Sequence, residues 1–170
     1  MAESHPLFFT ATILEWKHLL ERDKYKDILI DSLRYCFVNK NITIYAFVIL
    51  INHVHLIWNT GSQKGINVQH DFLKYTSQNI IKDLSFDNPE LLGKFKVDAK
   101  DRKYQIWERN PLNIELYTEK VFEQKLNYLH YNPVKAGLCE TPESYYYSSA
   151  NFYIMGKDDF GFLTHYRNSF

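Results

Sequence analysis

Apolar residues along the chain recur with two periods, and each stretch reads as one kind of element. LFFTATI, from Leu7 to Ile13, is rich in aromatic and β-branched residues and predicts a first strand. Between Tyr25 and Asn39, Ile28, Leu29, Leu33, Cys36 and Phe37 fall at three-and-four spacing, which predicts an amphipathic helix. Thr43 to Leu50 and His53 to Asn59 are two further apolar runs, separated only by Ile51 and Asn52, a gap short enough for a hairpin. GSQKG then breaks the chain, and Val68 to Leu84 sets Phe72, Tyr75, Ile80 and Leu84 along a second helix. A strand-and-loop region leads on to Thr118.

Thr118 to Tyr131 carries the clearest helical pattern. Thr118 is suited to the N-cap, Glu119 sits in the first turn where the helix dipole favours a carboxylate, and Phe122, Leu126 and Leu129 make an apolar stripe. Pro133 is expected to end this helix, because the residue before a proline is pushed out of the α region. The order strand, helix, strand, strand, helix, strand predicts an α+β fold, a ferredoxin-like antiparallel sheet with helices packed mainly on one face. No repeat or linker divides the chain, so residues 1–170 are expected to form a single domain.

Composition narrows the classes without naming one. A hydrophobic share of 45% with 24% charged residues is globular. MAESHPLFF lacks the pattern of a secretory leader, and YAFVILI is far too short to span a bilayer, so a soluble cytoplasmic protein with no membrane partner is expected. Cys36 and Cys139 form no C-x-x-C pair, which argues against a zinc ribbon, a redox motif or a disulfide scaffold. Twenty basic and twenty acidic residues cancel, so the whole-molecule field advertises no polyanion partner. Locally the balance differs: KFKVDAKDRKYQIWER, from Lys94 to Arg109, holds six basic and three acidic residues with Tyr104 and Trp107 interleaved. That mixture suits single-stranded nucleic acid, though on this segment alone a solvated hairpin or loop is the favoured reading.

YAFVILINHVHLIWNT, from Tyr45 to Thr60, interrupts an apolar run with Asn52, His53 and His55. Alternation in a strand sends His53 and His55 to the same face from α-carbons about 6.7 Å apart, so both rings can converge on one ion. The same spacing serves hydrogen-bonded core histidines. Chemistry on phosphate with Mg²⁺ or Mn²⁺ would need an oxygen-bearing third partner. A histidine-triad hydrolase would carry a third histidine where Ile57 stands, and a zinc protease needs helical i, i+4 histidines with a glutamate between, which HVH does not offer.

In NYLHYNPVKAGL, Tyr128 and Asn132 are i, i+4 neighbours beside the apolar stripe. A phenol is a poor nucleophile unless a metal-polarised phosphate or a base assists it. With thirteen tyrosines in the chain, a structural role for Tyr128 is the favoured reading on spacing alone.

Taken together, INHVHLIWN (51–59), YQIWERN (104–110), YLHYNPVKAGL (128–138) and YYYSSANFY (145–153) resemble, in order, the motifs of the single-tyrosine HUH transposases, in particular the REP-associated tyrosine transposases. Leu50 and Ile51 stand where that family usually has Met and Pro, which alters the turn before the histidines and removes no ligand. The resemblance implies that His53 and His55 bind a divalent metal, Mg²⁺ or Mn²⁺, that Asn132 is the third ligand, and that Tyr128 attacks the scissile phosphate. It implies a 5′-phosphotyrosine intermediate and a substrate of single-stranded or hairpin DNA formed by palindromic repeats, met in the bacterial cytoplasm at the nucleoid. Lys74, Lys94, Lys96, Arg102 and Lys103 are then expected on DNA phosphates, with Trp107 beside them. Monomer and homodimer stay open, as does an active site shared between two chains. Two other functions remain in view: a domesticated hairpin-binding module that does not cut, and a metal-dependent nucleotide phosphodiesterase.

Overall fold

Four strands, β1 (Leu7–Thr12), β2 (Thr43–Ile49), β3 (His53–Asn59) and β4 (Leu112–Glu115), form one sheet in the order β2-β3-β1-β4, and every neighbouring pair is antiparallel. The helices are α1 (Asp23–Asn39), α2 (Gly65–Asp87), α3 (Pro89–Gly93), α4 (Glu119–Lys135) and α5 (Ala150–Met155). This computed structural model describes residues 4–61 and 65–170. Residues 1–3, which open the stretch read for a leader, and 62–64, the middle of the GSQKG break, lie outside the described residues, as do the side chains of 65 and 66.

The period-two pattern divides the core in two. Phe9, Ala11, Val54, Leu56 and Trp58 point to one face of the sheet, where α1 contributes Tyr25, Leu29 and Leu33 and α2 contributes Phe72, Ile80 and Leu84. Phe8 and Ile57 point to the other face, against Phe122, Leu126 and Leu129 of α4. A register shift between Ile44 and Ala46 turns both Tyr45 and Ala46 toward α4. The β1-α1-β2 and β3-α2-β4 connections both cover the first face, which is the ferredoxin-like arrangement expected, and the added helix α4 takes the second face.

The free edge of β2 is paired by the C-terminal segment: Ile49 N–H donates to Tyr147 O, and Ser149 N–H to Phe47 O, each at 2.9 Å. The basic segment from Lys94 folds back on itself, with Gln105 N–H donated to Phe95 O and Val97 N–H to Lys103 O at 2.9 Å each, so the hairpin-or-loop reading describes its backbone.

Pro133 does not end α4, contrary to expectation. The helix runs on to Lys135, and it is closed by Gly137 at φ 76°, with Leu138 N–H donated to Pro133 O and Gly137 N–H to Val134 O. That is a Schellman turn. The proline ring is buried, and the proline costs one intrahelical bond, that to the Leu129 carbonyl, while the Schellman turn satisfies the Pro133 and Val134 carbonyls and closes the helix beyond it. Asn132 therefore remains helical and keeps its side chain on the same face as Tyr128. Among the described residues no helix is long and apolar enough to cross a membrane.

Candidate active site

β3 sits inside the sheet, so its alternate residues are buried whichever face they take, and the face shared by His53, His55 and Ile57 is the one α4 covers. His55 is 5% exposed and stacks on Phe8 from β1, with ring centroids 5.2 Å apart. His53, nearer the end of the strand, is half-buried, and its ring centroid lies 4.8 Å from that of His55. α4 brings Tyr128 against them, its ring 5.6 Å from His55 and 6.1 Å from Phe8, while the side chain stays 49% exposed. Four residues on, Asn132 Nδ2 lies 3.2 Å from His55 Nε2.

The orientation of the Asn132 amide selects the His55 tautomer. With Asn132 Nδ2 donating to Nε2 of His55, the ring carries its one proton on Nδ1, where it is donated to Thr10 Oγ1 at 2.7 Å. His53 Nδ1 donates to Asn52 Oδ1 at 2.7 Å, and the Asn52 amide nitrogen in turn faces Trp16 O. Each imidazole is thus held at Nδ1 by a neighbour, which leaves its Nε2 without a proton. This is the orientation that a metal-binding histidine needs from its supporting residues. Burial pushes the His53 pKa down to about 4 and that of His55 to about 3, the latter helped by His53 and the Lys125 ammonium, so both rings are neutral at pH 7.

Among the described residues no third His, Cys, Asp or Glu joins the pair. A metal held here would take two imidazoles and an amide oxygen, the latter presented by rotating the Asn132 amide, with water or substrate oxygens for the rest of its shell. Two imidazoles by themselves suit zinc, copper or nickel better than magnesium, and it is the amide oxygen with the open positions for water or substrate oxygens that would admit Mn²⁺ or Mg²⁺. Lys125, one turn before Tyr128, holds its ammonium 5.6 Å from the Tyr128 ring centre and 5.1 Å from that of Phe8, so positive charge borders the tyrosine. Tyr131 is 59% exposed and, among the described residues, makes no ring contact with either histidine.

The residues expected to meet DNA are divided. Lys74 and Arg102 line a groove of about 550 Å³ between α2 and residues 101–111, together with Tyr104, Gln105 and Arg109. Lys94 lines a second groove of about 550 Å³ on the other side of the 94–105 hairpin, with Trp16 and Arg22. Lys96 and Lys103 are exposed on the hairpin itself. Arg102 is tied to Asp101 at 2.9 Å, which reduces its availability to phosphate. Trp107 is corrected: it is 5% exposed, belongs to the core under α2 and donates its indole N–H to Thr76 Oγ1 at 3.0 Å. A ring so buried forms the floor of the groove and has no free face for a base.

Sequence reasoning missed Thr10, Lys125 and Trp16. The signals were present in part: Thr10 breaks an apolar strand at an alternate position, Lys125 precedes Tyr128 by one turn, and Trp16 lies between Glu15 and Lys17 just past the strand.

The architecture is a ferredoxin-like domain that carries two histidines, an amide and a tyrosine on the sheet face covered by its last long helix. Two solved structures share that fold. A REP-associated tyrosine transposase bound to a REP hairpin is similar over 96% of this chain and 87% of its own, with a TM-score of 0.69 at 17% identity. A putative transposase from Deinococcus radiodurans is similar over 75% of this chain and 90% of its own, with a TM-score of 0.51 at 15% identity. No family profile and no curated protein matches the chain.

Proposed function

We propose that this chain is a single-tyrosine HUH transesterase of the REP-associated transposase type, which cuts and rejoins single-stranded DNA beside a palindromic hairpin. The observation that carries this reading is the meeting of two motifs 77 residues apart in sequence, His55 of β3 and Asn132 of α4 at 3.2 Å, with Tyr128 on the same helix face. The fold shared with a transposase bound to a REP hairpin supports it.

In this reading Tyr128 Oη attacks the scissile phosphorus. The new bond is a phosphotyrosine ester, the bond broken is that between phosphorus and the 3′ oxygen, the phenolic proton passes to solvent, and the strand ends are a 5′-phosphotyrosine and a free 3′ hydroxyl. The ester conserves the energy of the broken bond, so a 3′ hydroxyl can reverse the step and join strands without ATP. His53, His55 and Asn132 would hold a divalent ion, Mg²⁺ or Mn²⁺, which when bound neutralises charge on the phosphate and favours departure of the 3′ oxygen. Thr10 and Asn52 hold the two rings at Nδ1 and so leave each Nε2 free to be a ligand, and Lys125 adds positive charge where a phosphate facing Tyr128 would sit. Solvent access at the half-exposed Tyr128 leaves room for a strand to enter.

Incubation with a single-stranded hairpin carrying a flanking tail, in Mn²⁺ and in EDTA, tests the proposal. A band that shifts in denaturing gels only with Mn²⁺ is expected. Hydrolysis of the strand without any adduct would favour a phosphodiesterase, and tight binding with no cut a hairpin-binding module.

A further inference from the structure

Trp16 is 60% exposed, while Trp58 and Trp107 are buried at 0% and 5%, so one indole in three is presented to solvent. Its position is defined by the backbone. Glu15 and Trp16 are consecutive non-glycine residues in the left-handed region, at φ 54° and 58°. Side chains with a β-carbon rarely adopt this conformation, and such strain persists only where the surroundings impose it.

Here they do. Ile13 N–H is donated to Asn52 O and Leu14 N–H to Ile106 O, both at 2.8 Å, Trp16 N–H to Ile13 O at 2.9 Å, and Glu15 N–H to a Glu108 carboxylate oxygen at 2.6 Å. The result turns the indole to the mouth of the histidine pair, edge to face with His53 at 6.0 Å between centroids. Asn52 joins the two, accepting from His53 Nδ1 and facing Trp16 O with its amide nitrogen.

On its other side Trp16 opens the groove that also holds Lys17, His18, Arg22, Lys94 and Phe95, in which Glu21 is the one acidic lining residue. Lys17 is paired with Glu15 and Arg22 with Asp87, whereas Lys94 makes no ion pair among the described residues. An exposed ring beside a phosphate-handling centre, continued by a groove whose Lys94 is left without an ion pair among the described residues, is a pattern by which unpaired nucleotides are held: bases stack on the aromatic face and phosphates meet the free cation.

We propose that Trp16 is a stacking platform for an unpaired base next to the scissile phosphate, and that the single strand continues from it along the Lys94 groove. Trp16 then positions the strand and selects for an unpaired flank over duplex. This inference rests on the DNA reading above and deepens it.

The test uses the intact wild-type chain in EDTA, with acrylamide quenching of tryptophan fluorescence as the readout. Two of the three indoles are shielded, so the quenchable component belongs to Trp16, and Trp16→Leu should abolish it. A hairpin with a single-stranded tail is expected to protect that component, and the same hairpin made blunt is expected to leave it quenchable. Trp16→Leu should weaken binding of the tailed hairpin by roughly 5- to 150-fold and leave the blunt hairpin unchanged, with Trp16→Phe recovering part of the loss. Equal quenching with tailed and blunt hairpins, or a Trp16→Leu chain that binds both as the wild type does, would overturn the stacking role and leave the DNA reading intact. A wild-type chain that binds neither hairpin would overturn both.

Discussion

Asn132 Nδ2 lies 3.2 Å from Nε2 of His55, across the interface between α4 and the sheet. The pair joins the strand that carries both histidines to the helix that carries the tyrosine. If the amide turns its oxygen inward to complete a metal shell, Asn132→Leu should reduce Mn²⁺ affinity at least about tenfold, and Asn132→Asp, which supplies a charged oxygen on the same stem, should restore or raise it. Calorimetric titration of Mn²⁺ into both variants measures this. A leucine variant that binds Mn²⁺ as tightly as the wild type would remove Asn132 from the ligand set.

Thr10 gives a second check, made through a residue that would not touch the metal. Its hydroxyl oxygen accepts the Nδ1 proton of His55 at 2.7 Å. Thr10→Val keeps the shape and removes the acceptor, so it should lower Mn²⁺ affinity by about 10- to 100-fold, the usual effect of losing a residue that orients a ligand. Unfolding in urea with EDTA should show a loss of about 1–3 kcal/mol for the stranded N–H. A variant with lower stability but unchanged metal affinity would make the contact purely structural.

His130 ties α4 to the C-terminal segment, with Nε2 2.7 Å from Ser149 Oγ, and Ser149 in turn bonds Phe47 of β2. Burial pushes its pKa from the ordinary 6.5 down to about 4. The unfolded chain therefore takes up the proton first as pH falls: the contribution is complete above about pH 6.5 and is lost progressively toward pH 4. The total is about 3 kcal/mol for a shift of this size. Urea midpoints measured with EDTA between pH 7 and 4.5 should fall less steeply for His130→Gln than for the wild type. Parallel curves would contradict a buried neutral His130.

Much of this arrangement was legible in the sequence because it rests on local periodicity. The bounds of β3, the cap at Thr118 and the alternation of His53 with Val54 all follow from side-chain period and propensity. Trp107 misled because a basic and aromatic segment says nothing about which ring folds under: its burial is decided by Thr76 and the rest of α2, far away in sequence. Trp16 was missed for the converse reason, since its left-handed backbone is imposed by Asn52, Ile106 and Glu108 and no local pattern announces it. The end of α4 was misjudged because a proline's local preference was outweighed by the Schellman turn at Gly137 and by burial of the proline ring.

The central claim is that Tyr128 is the nucleophile, and the adduct itself tests it. Wild-type chain trapped on a tailed hairpin in Mn²⁺ would be digested and the nucleotide-bearing peptide identified by mass spectrometry, with Tyr128→Phe and Tyr131→Phe assayed in parallel. Tyr128→Phe removes one hydroxyl that the fold does not use for a hydrogen bond among the described residues, so stability should change by less than about 1 kcal/mol and hairpin binding should persist. The nucleotide is expected on Tyr128, with no adduct from Tyr128→Phe and a normal yield from Tyr131→Phe; an adduct that survives Tyr128→Phe, or that maps to Tyr131, would contradict the account.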